Sequence, residues 1–116
     1  EAKKKKKLLN VSSLDFYRDY MYSYDAAIGI EKVINKVKKT IILNLGSGKR
    51  VYMRNFVKTY WKILGQSEKK INFLKIERKS TNKGFYLDIS LLKKNIGWKP
   101  QKSLVNNIKN NIKLFK

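Results

Sequence analysis

Ile41, Ile42, Leu43 and Leu45 form a short apolar run that stops at Gly46-Ser47-Gly48, and just beyond it a different period takes over. Met53, Phe56, Val57, Tyr60, Trp61 and Leu64 recur at three- and four-residue steps until Gly65. The run is too short for a helix and β-branched at its start, so it predicts a strand buried on both faces. The later pattern predicts an amphipathic helix with Gly65 as its C-terminal stop. A strand that turns directly into a helix is the repeating unit of an α/β fold, and the rest of the chain alternates in the same way.

Leu8, Leu9 and Val11 predict a first strand, followed by a turn at Ser12, Ser13, Leu14 and Asp15. Arg18 to Tyr22 alternates aromatic and polar residues, which predicts a second extended stretch. From Ser23 the steps Ala27, Ile30, Ile34 and Val37 predict a helix of about four turns that buries this stripe. Ile71, Phe73 and Leu74 predict another strand, Ser80 to Gly84 a polar loop, and Phe85 to Leu87 a brief extended piece. Asp88 is placed to cap a short helix over Ile89 to Asn95 that Gly97 closes, and Pro100 keeps it from continuing. Ser103 can cap a last helix with Leu104, Ile108, Ile112 and Phe115 on one face. Lys3 to Lys7 predicts an exposed, low-complexity segment over 1–7, with the folded portion over 8–116.

The missing residue types exclude much chemistry. The 116 residues hold no His and no Cys, which removes the imidazole base, the thiolate nucleophile, the disulfide and the Cys/His zinc site. The 8 acidic residues are scattered among 28 Lys and Arg, a poor supply of ligands for a hard cation. No catalytic and no metal-binding residue is therefore expected. No apolar run approaches the roughly 20 residues of a membrane helix and no signal peptide is recognisable, so the expected location is cytoplasmic, without a membrane partner. The chain starts at Glu1 rather than Met, from which a preceding segment is expected.

A formal charge of +20 suggests a polyanionic partner, because clustered cations release counterions on meeting phosphates. The excess is mostly Lys, spread along the whole chain, and Arg occurs only at Arg18, Arg50, Arg54 and Arg78. A dispersed Lys coat is also what a solvated surface looks like. A small basic nucleic-acid-binding protein thus stands as an alternative.

Two stretches bear on ligands. Gly46-Ser47-Gly48 sits where backbone N–H groups can hold a phosphate, yet it matches neither the dinucleotide fingerprint nor the P-loop and reads as a plain strand-to-helix turn. Arg18-Asp19-Tyr20-Met21-Tyr22-Ser23-Tyr24-Asp25 puts an Arg at a strand and an acid just inside a helix. Arg18 either pairs with a surface carboxylate or grips a ligand phosphate with its planar fork. Arg78, beside the 80–84 loop, is a second such fork.

Taken together these stretches resemble the C-terminal part of the extended short-chain dehydrogenase/reductases, the NAD-dependent epimerase/dehydratase family that acts on nucleotide sugars. Arg18 to Asp25 is similar to that family's R-D-[FY]-[IV]-[YH]-V-x-D, and Leu43-Asn44-Leu45-Gly46-Ser47-Gly48 to its N-[IL]-G-[SG]-G. Asp88 to Pro100 is similar to D-x-S-K-[AL]-x-x-x-L-G-[WY]-x-P, and the last helix to S-L-x-x-G-[IL]. The four lie in the family's order from about Leu8 to Phe115.

The resemblance implies an α/β substrate-binding portion lacking most of the Rossmann domain. It implies that Arg18 and Arg78 contact the diphosphate of a nucleoside-diphosphate sugar and that Leu9, Asn10 and Val11 lie against its base. Lys79, Ser80 and Thr81 follow Arg78 where the family often has an acid for the ribose, and Tyr52 stands where it usually has a Ser or Thr cap. None of the seven tyrosines is followed four residues later by Lys, so the family's catalytic Tyr-x-x-x-Lys pair is absent, as is its glycine-rich dinucleotide turn. The expectation is a substrate-binding piece that binds no cofactor alone, whose relatives use NAD(P), and whose partner is the missing N-terminal Rossmann half. A truncated or split product, poorly stable alone, and a degenerate remnant without activity both fit that expectation.

Overall fold

A computed structural model describes residues 8–76 and 83–114. Its elements run β1 (Leu9–Val11), β2 (Tyr17–Arg18), α1 (Ser23–Lys36), β3 (Val51–Tyr52), α2 (Met53–Ile63), a turn of 3-10 helix (Glu68–Lys70), β4 (Ile71–Phe73), α3 (Ser90–Ile96) and α4 (Leu104–Leu114). This is the mixed helix and strand content of an α/β chain. The residues divide into two compact units, each built from two stretches: Glu1–Arg18 with Val51–Gly84, and Asp19–Arg50 with Phe85–Lys116.

In the first unit β1 and β4 are parallel, with Leu9 opposite Ile71, Asn10 opposite Asn72 and Val11 opposite Phe73. β2 and β3 are antiparallel, Tyr17 opposite Tyr52 and Arg18 opposite Val51. Tyr52 begins α2 without any side-chain cap, and the N–H of Met53 instead finds the carbonyl of Phe16 at 2.9 Å. α2 buries Trp61, whose indole N–H donates to the Ser67 carbonyl at 2.9 Å. An aromatic buried with its one polar atom satisfied is a net gain, and Trp61 and Ile71 are the buried apolar side chains described in this unit. Gly65, at φ +72°, ends the helix as its spacing predicts.

The second unit is built around Ile89, Leu92 and Ile96, with Val33, Val37, Leu43, Leu45, Leu87 and Trp98 packed against them. Full burial of Leu92 alone is worth about 1.5–3 kcal/mol. α3 starts one residue later than its sequence predicts, yet Asp88 still accepts the Ser90 N–H at 2.9 Å, and Gly97 at φ +64° closes it. Ser103 accepts from the Asn106 N–H at 3.3 Å at the start of α4, whose Ile108 and Ile112 are buried.

Three expectations change. The second extended stretch is only the two residues of β2, and Phe85 to Leu87 forms no strand. α1 occupies its predicted span but most of its predicted stripe is not buried: Ile30 and Ile34 are 51% and 69% exposed and only Val37, at its end, packs on the core, while Asp25 and Gly29 are buried. The reason is steric. A Cβ on Gly29 would lie 2.7 Å from Cζ3 of Trp98 and 2.8 Å from Cδ1 of Leu45, so only a bare backbone lets those side chains reach the helix. Third, Ile41–Leu45 is not a strand buried on two faces. Ile41, Leu43 and Leu45 are half-buried, Ile42 is 91% exposed, and the segment pairs with no described strand.

Candidate functional site

The residues expected to meet a ligand fall in the first unit. Leu9 and Val11 are half-buried in β1, and Asn10 between them points outward, its Oδ1 accepting from Asn72 Nδ2 across the ladder at 3.0 Å. Such a pair presents a ready-made donor and acceptor face on an otherwise apolar rung. At the end of the ladder the Leu74 N–H donates to the Val11 carbonyl at 2.8 Å, and the Arg54 guanidinium lies 4.4 Å from the Phe73 ring centre. Arg54 also pairs with Asp15 at 3.0 Å. The Ser13 hydroxyl and then Arg54 hold the Asp15 carboxyl below its ordinary value of 3.8.

Arg18 ends β2. Its guanidinium lies over the Phe16 ring at 4.7 Å and donates to the Tyr17 carbonyl at 2.8 Å, which fixes the plane of the fork. The chain comes back to this point at Lys83 and Gly84: the Tyr17 N–H donates to the Lys83 carbonyl at 2.9 Å, and Tyr17 bridges Gly84 in parallel. Here Gly84, at φ +125°, is irreplaceable, because a Cβ would overlap the Tyr17 carbonyl and come within 3.0 Å of Arg18 Nη1. Arg78 lies outside the described residues, so of the residues expected to meet a ligand the structure describes Arg18, Leu9, Asn10 and Val11.

The second unit accounts for the motifs in another way. Asp19, next to Arg18 in sequence, accepts from the Ser47 N–H at 2.8 Å, the Gly48 N–H at 2.9 Å, the Leu87 N–H at 3.2 Å and the Ser47 hydroxyl. Asp25, 2% exposed, accepts from the N–H groups of Gln101 at 3.1 Å and Lys102 at 2.9 Å. The two acids of the first motif therefore pin the second motif and the residues on either side of the third, and Gly29 receives Trp98 of the third. Asp25 is buried and Asp19 half-buried, and carboxylates are tolerated away from water when backbone donors surround them in this way.

The same geometry tests the fit of a dinucleotide. Gly46-Ser47-Gly48 is the one Gly-x-Gly sequence in the chain, and Asp19 already takes the N–H groups of Ser47 and Gly48. A phosphate cannot take the same donors, so this turn does not fit the phosphates of a dinucleotide. Among the described residues no three acids cluster as a metal site, and no helix is long and apolar enough to cross a membrane.

Solved structures with this fold are enzymes of one kind. The chain superposes on dTDP-glucose 4,6-dehydratase from Bacillus anthracis in complex with NAD at a TM-score of 0.78, covering 94% of this chain and 34% of that one at 16% identity. For UDP-glucose 4-epimerase from Bifidobacterium longum in complex with NAD+ and UDP the values are 0.71, 97%, 37% and 23%. The chain has the fold of one part of the NAD-dependent epimerase/dehydratase enzymes. UDP-glucose 4-epimerase from Thermotoga maritima with UDP-glucose gives 0.70, 93%, 36% and 20%. The chain thus spans about a third of the length of the enzymes that share its fold, and those enzymes bind NAD in their own complexes. No protein-family model matches the sequence, and no curated protein does.

Sequence reasoning quoted Asp19 and Asp25 only as letters of a motif. The signal that marks them is the surplus of donors: glycine turns and a proline-bounded loop leave N–H groups that helices and sheets do not absorb, and a buried acid is what satisfies them.

Proposed function

We propose that these residues form the nucleotide-sugar-binding portion of an NAD-dependent sugar-nucleotide epimerase, dehydratase or reductase. Arg18 and Arg78 grip the diphosphate and the β1 segment Leu9–Val11 lies against the base. The observation that carries the reading is the shared fold over 94% of this chain with an enzyme of that class. The return of the chain to Arg18 at Lys83 and Gly84, shortly after Arg78, supports a common site for the two forks. A guanidinium held over Phe16 and bonded to the Tyr17 carbonyl approaches a phosphate with less orientation left to lose. Hydride exchange between sugar and NAD(P) falls to residues other than these 116, which contain no Tyr-x-x-x-Lys pair.

Calorimetry of the chain with UDP-glucose and dTDP-glucose, with NAD as control, tests this. One sugar nucleotide binds, NAD does not, and Arg18→Ala or Arg78→Ala weakens binding roughly ten- to a hundredfold, the weight of a lost charge-assisted contact of about 1.5–3 kcal/mol. Wild-type affinity in both variants refutes the reading. Binding of RNA or DNA that falls steeply with salt, without sugar-nucleotide binding, supports the basic nucleic-acid-binding alternative instead.

A further inference from the structure

Of the four arginines, Arg18 and Arg78 serve the sugar-nucleotide reading and Arg54 pairs with Asp15. Arg50 does something else. It ends one stretch of the second unit, and its guanidinium lies 4.6 Å from the ring centre of Tyr86, with Nη2 3.5 Å from the Tyr86 hydroxyl. Both side chains are exposed, Tyr86 at 42%. An Arg–Tyr stack at a surface is a flat, polarisable platform with a positive charge on it. Beside it opens a cavity of about 490 Å³, lined by Tyr86, Leu87, Asp88, Ser90 and Lys93 among others, which is within the usual size of a ligand site, about 300–1,000 Å³.

Charge says what enters the cavity and what stays at its rim. Lys93 is part of the lining, and exposed Lys49 follows Gly48, another lining residue; neither lysine is ion-paired among the described residues. Asp88, the one carboxylate of the lining, accepts the Ser90 N–H at 2.9 Å, and its negative charge disfavours a phosphate inside. A neutral ring inside, stacked on Tyr86, with phosphates at the rim against the three cations, meets both demands. A free mononucleotide would leave the rest of the +20 unused, whereas a strand runs on past the cavity and releases counterions along that charge. We propose that this part of the second unit binds single-stranded nucleic acid, seating one base against Tyr86 and holding the flanking phosphates with Arg50, Lys49 and Lys93.

The site uses none of the residues assigned to the sugar nucleotide and stands or falls apart from that reading. The probe is a fluorescein-labelled oligouridylate of about eight nucleotides, titrated into the 116-residue chain by anisotropy at low and at moderate salt, with the deoxy oligomer and an inorganic polyphosphate of equal charge alongside. Saturable binding of both oligomers that weakens with salt is expected, and an excess of UDP-glucose leaves it unchanged. Tyr86→Ala lowers the affinity about tenfold or more, the weight of one lost base stack, while Tyr86→Phe keeps it. Arg50→Ala weakens binding and lowers the salt slope by about one, whereas Lys62→Ala, in the first unit, changes little. Polyphosphate binds more weakly and is indifferent to Tyr86→Ala. A 5-iodouridine oligomer, activated by light on the unaltered chain, cross-links to Tyr86, a readout that needs no variant to fold. Absence of saturation, wild-type affinity in Tyr86→Ala, cross-links that avoid Tyr86, polyphosphate binding as tight as that of the oligomers, or displacement by UDP-glucose overturns the proposal.

Discussion

Asp19 is the residue on which most of the second unit's loop structure converges, and replacing it gives the sharpest test of how that unit is held. Asp19→Ala leaves the N–H groups of Ser47, Gly48 and Leu87 and the Ser47 hydroxyl without their acceptor. Bonds to a charged group are worth about 1.5–3 kcal/mol each when fully buried, and stranded donors cost about as much. These bonds are part-buried, so water can replace some of them, and about 1 kcal/mol apiece is a conservative figure. The expected loss is about 3–4 kcal/mol, against about half that for Asp19→Asn, which keeps one acceptor oxygen in place. At about 4 °C per kcal/mol the Ala variant melts at least about 12 °C lower. Urea unfolding measures the free energy, and amide exchange at Ser47, Gly48 and Leu87 gives a second reading that does not need a full unfolding curve. A loss under about 1 kcal/mol, with those three amides still protected, refutes the argument. Asp15→Ala is the control: its carboxyl meets Ser13 and Arg54 at the surface, where water replaces lost bonds, and its removal should leave the melt nearly unchanged.

Two further predictions follow from local geometry. Gly29→Ala forces a methyl against Trp98 and Leu45, costing about 1–3 kcal/mol and shifting the Trp98 near-ultraviolet signal; an unchanged melt and spectrum count against the close approach. The Ser90 backbone N–H, ahead of the Ser90 side chain, holds the Asp88 carboxyl below 3.8, so its stabilisation of α3 is present above pH 3.8 and is lost as pH falls through the still lower folded value. Carbon-detected titration of Asp88 should therefore show a midpoint under 3.8, and fraying at Ser90 that tracks it; a midpoint at or above 3.8 refutes the cap.

Periodicity was a good guide wherever one strong pattern decided the element. α2 begins at Met53 and ends beside Gly65 as its stripe and glycine require, and β4 lies where Ile71 and Phe73 put it. In α1 hydrophobicity picks out the stripe of Ala27, Ile30, Ile34 and Val37. The structure chose the one with Gly29, because close approach by Trp98 depends on an absent side chain that no hydropathy scale scores. For Ile41–Leu45 the apolar run says how much burial the segment can use, and no described strand is present to supply it. Of the candidate site, the strand that carries Leu9 and Val11 is legible in its apolar residues, whereas the bonding of Asp19 and Asp25 is hidden because most of their partners are backbone amides, which leave no mark in the sequence.

The two units are interlaced along the polypeptide: residues 19–50 interrupt the first, and residues 51–84 interrupt the second. Each unit, once formed, staples the ends of the other's intervening stretch and so shortens the loop that the other must close. Loop entropy changes by about 0.6 kcal/mol for each doubling of length, so melting either unit lengthens and weakens its neighbour through the chain alone. Cooperativity of this kind needs no shared surface, and it means that neither unit can be excised as one uninterrupted piece of sequence.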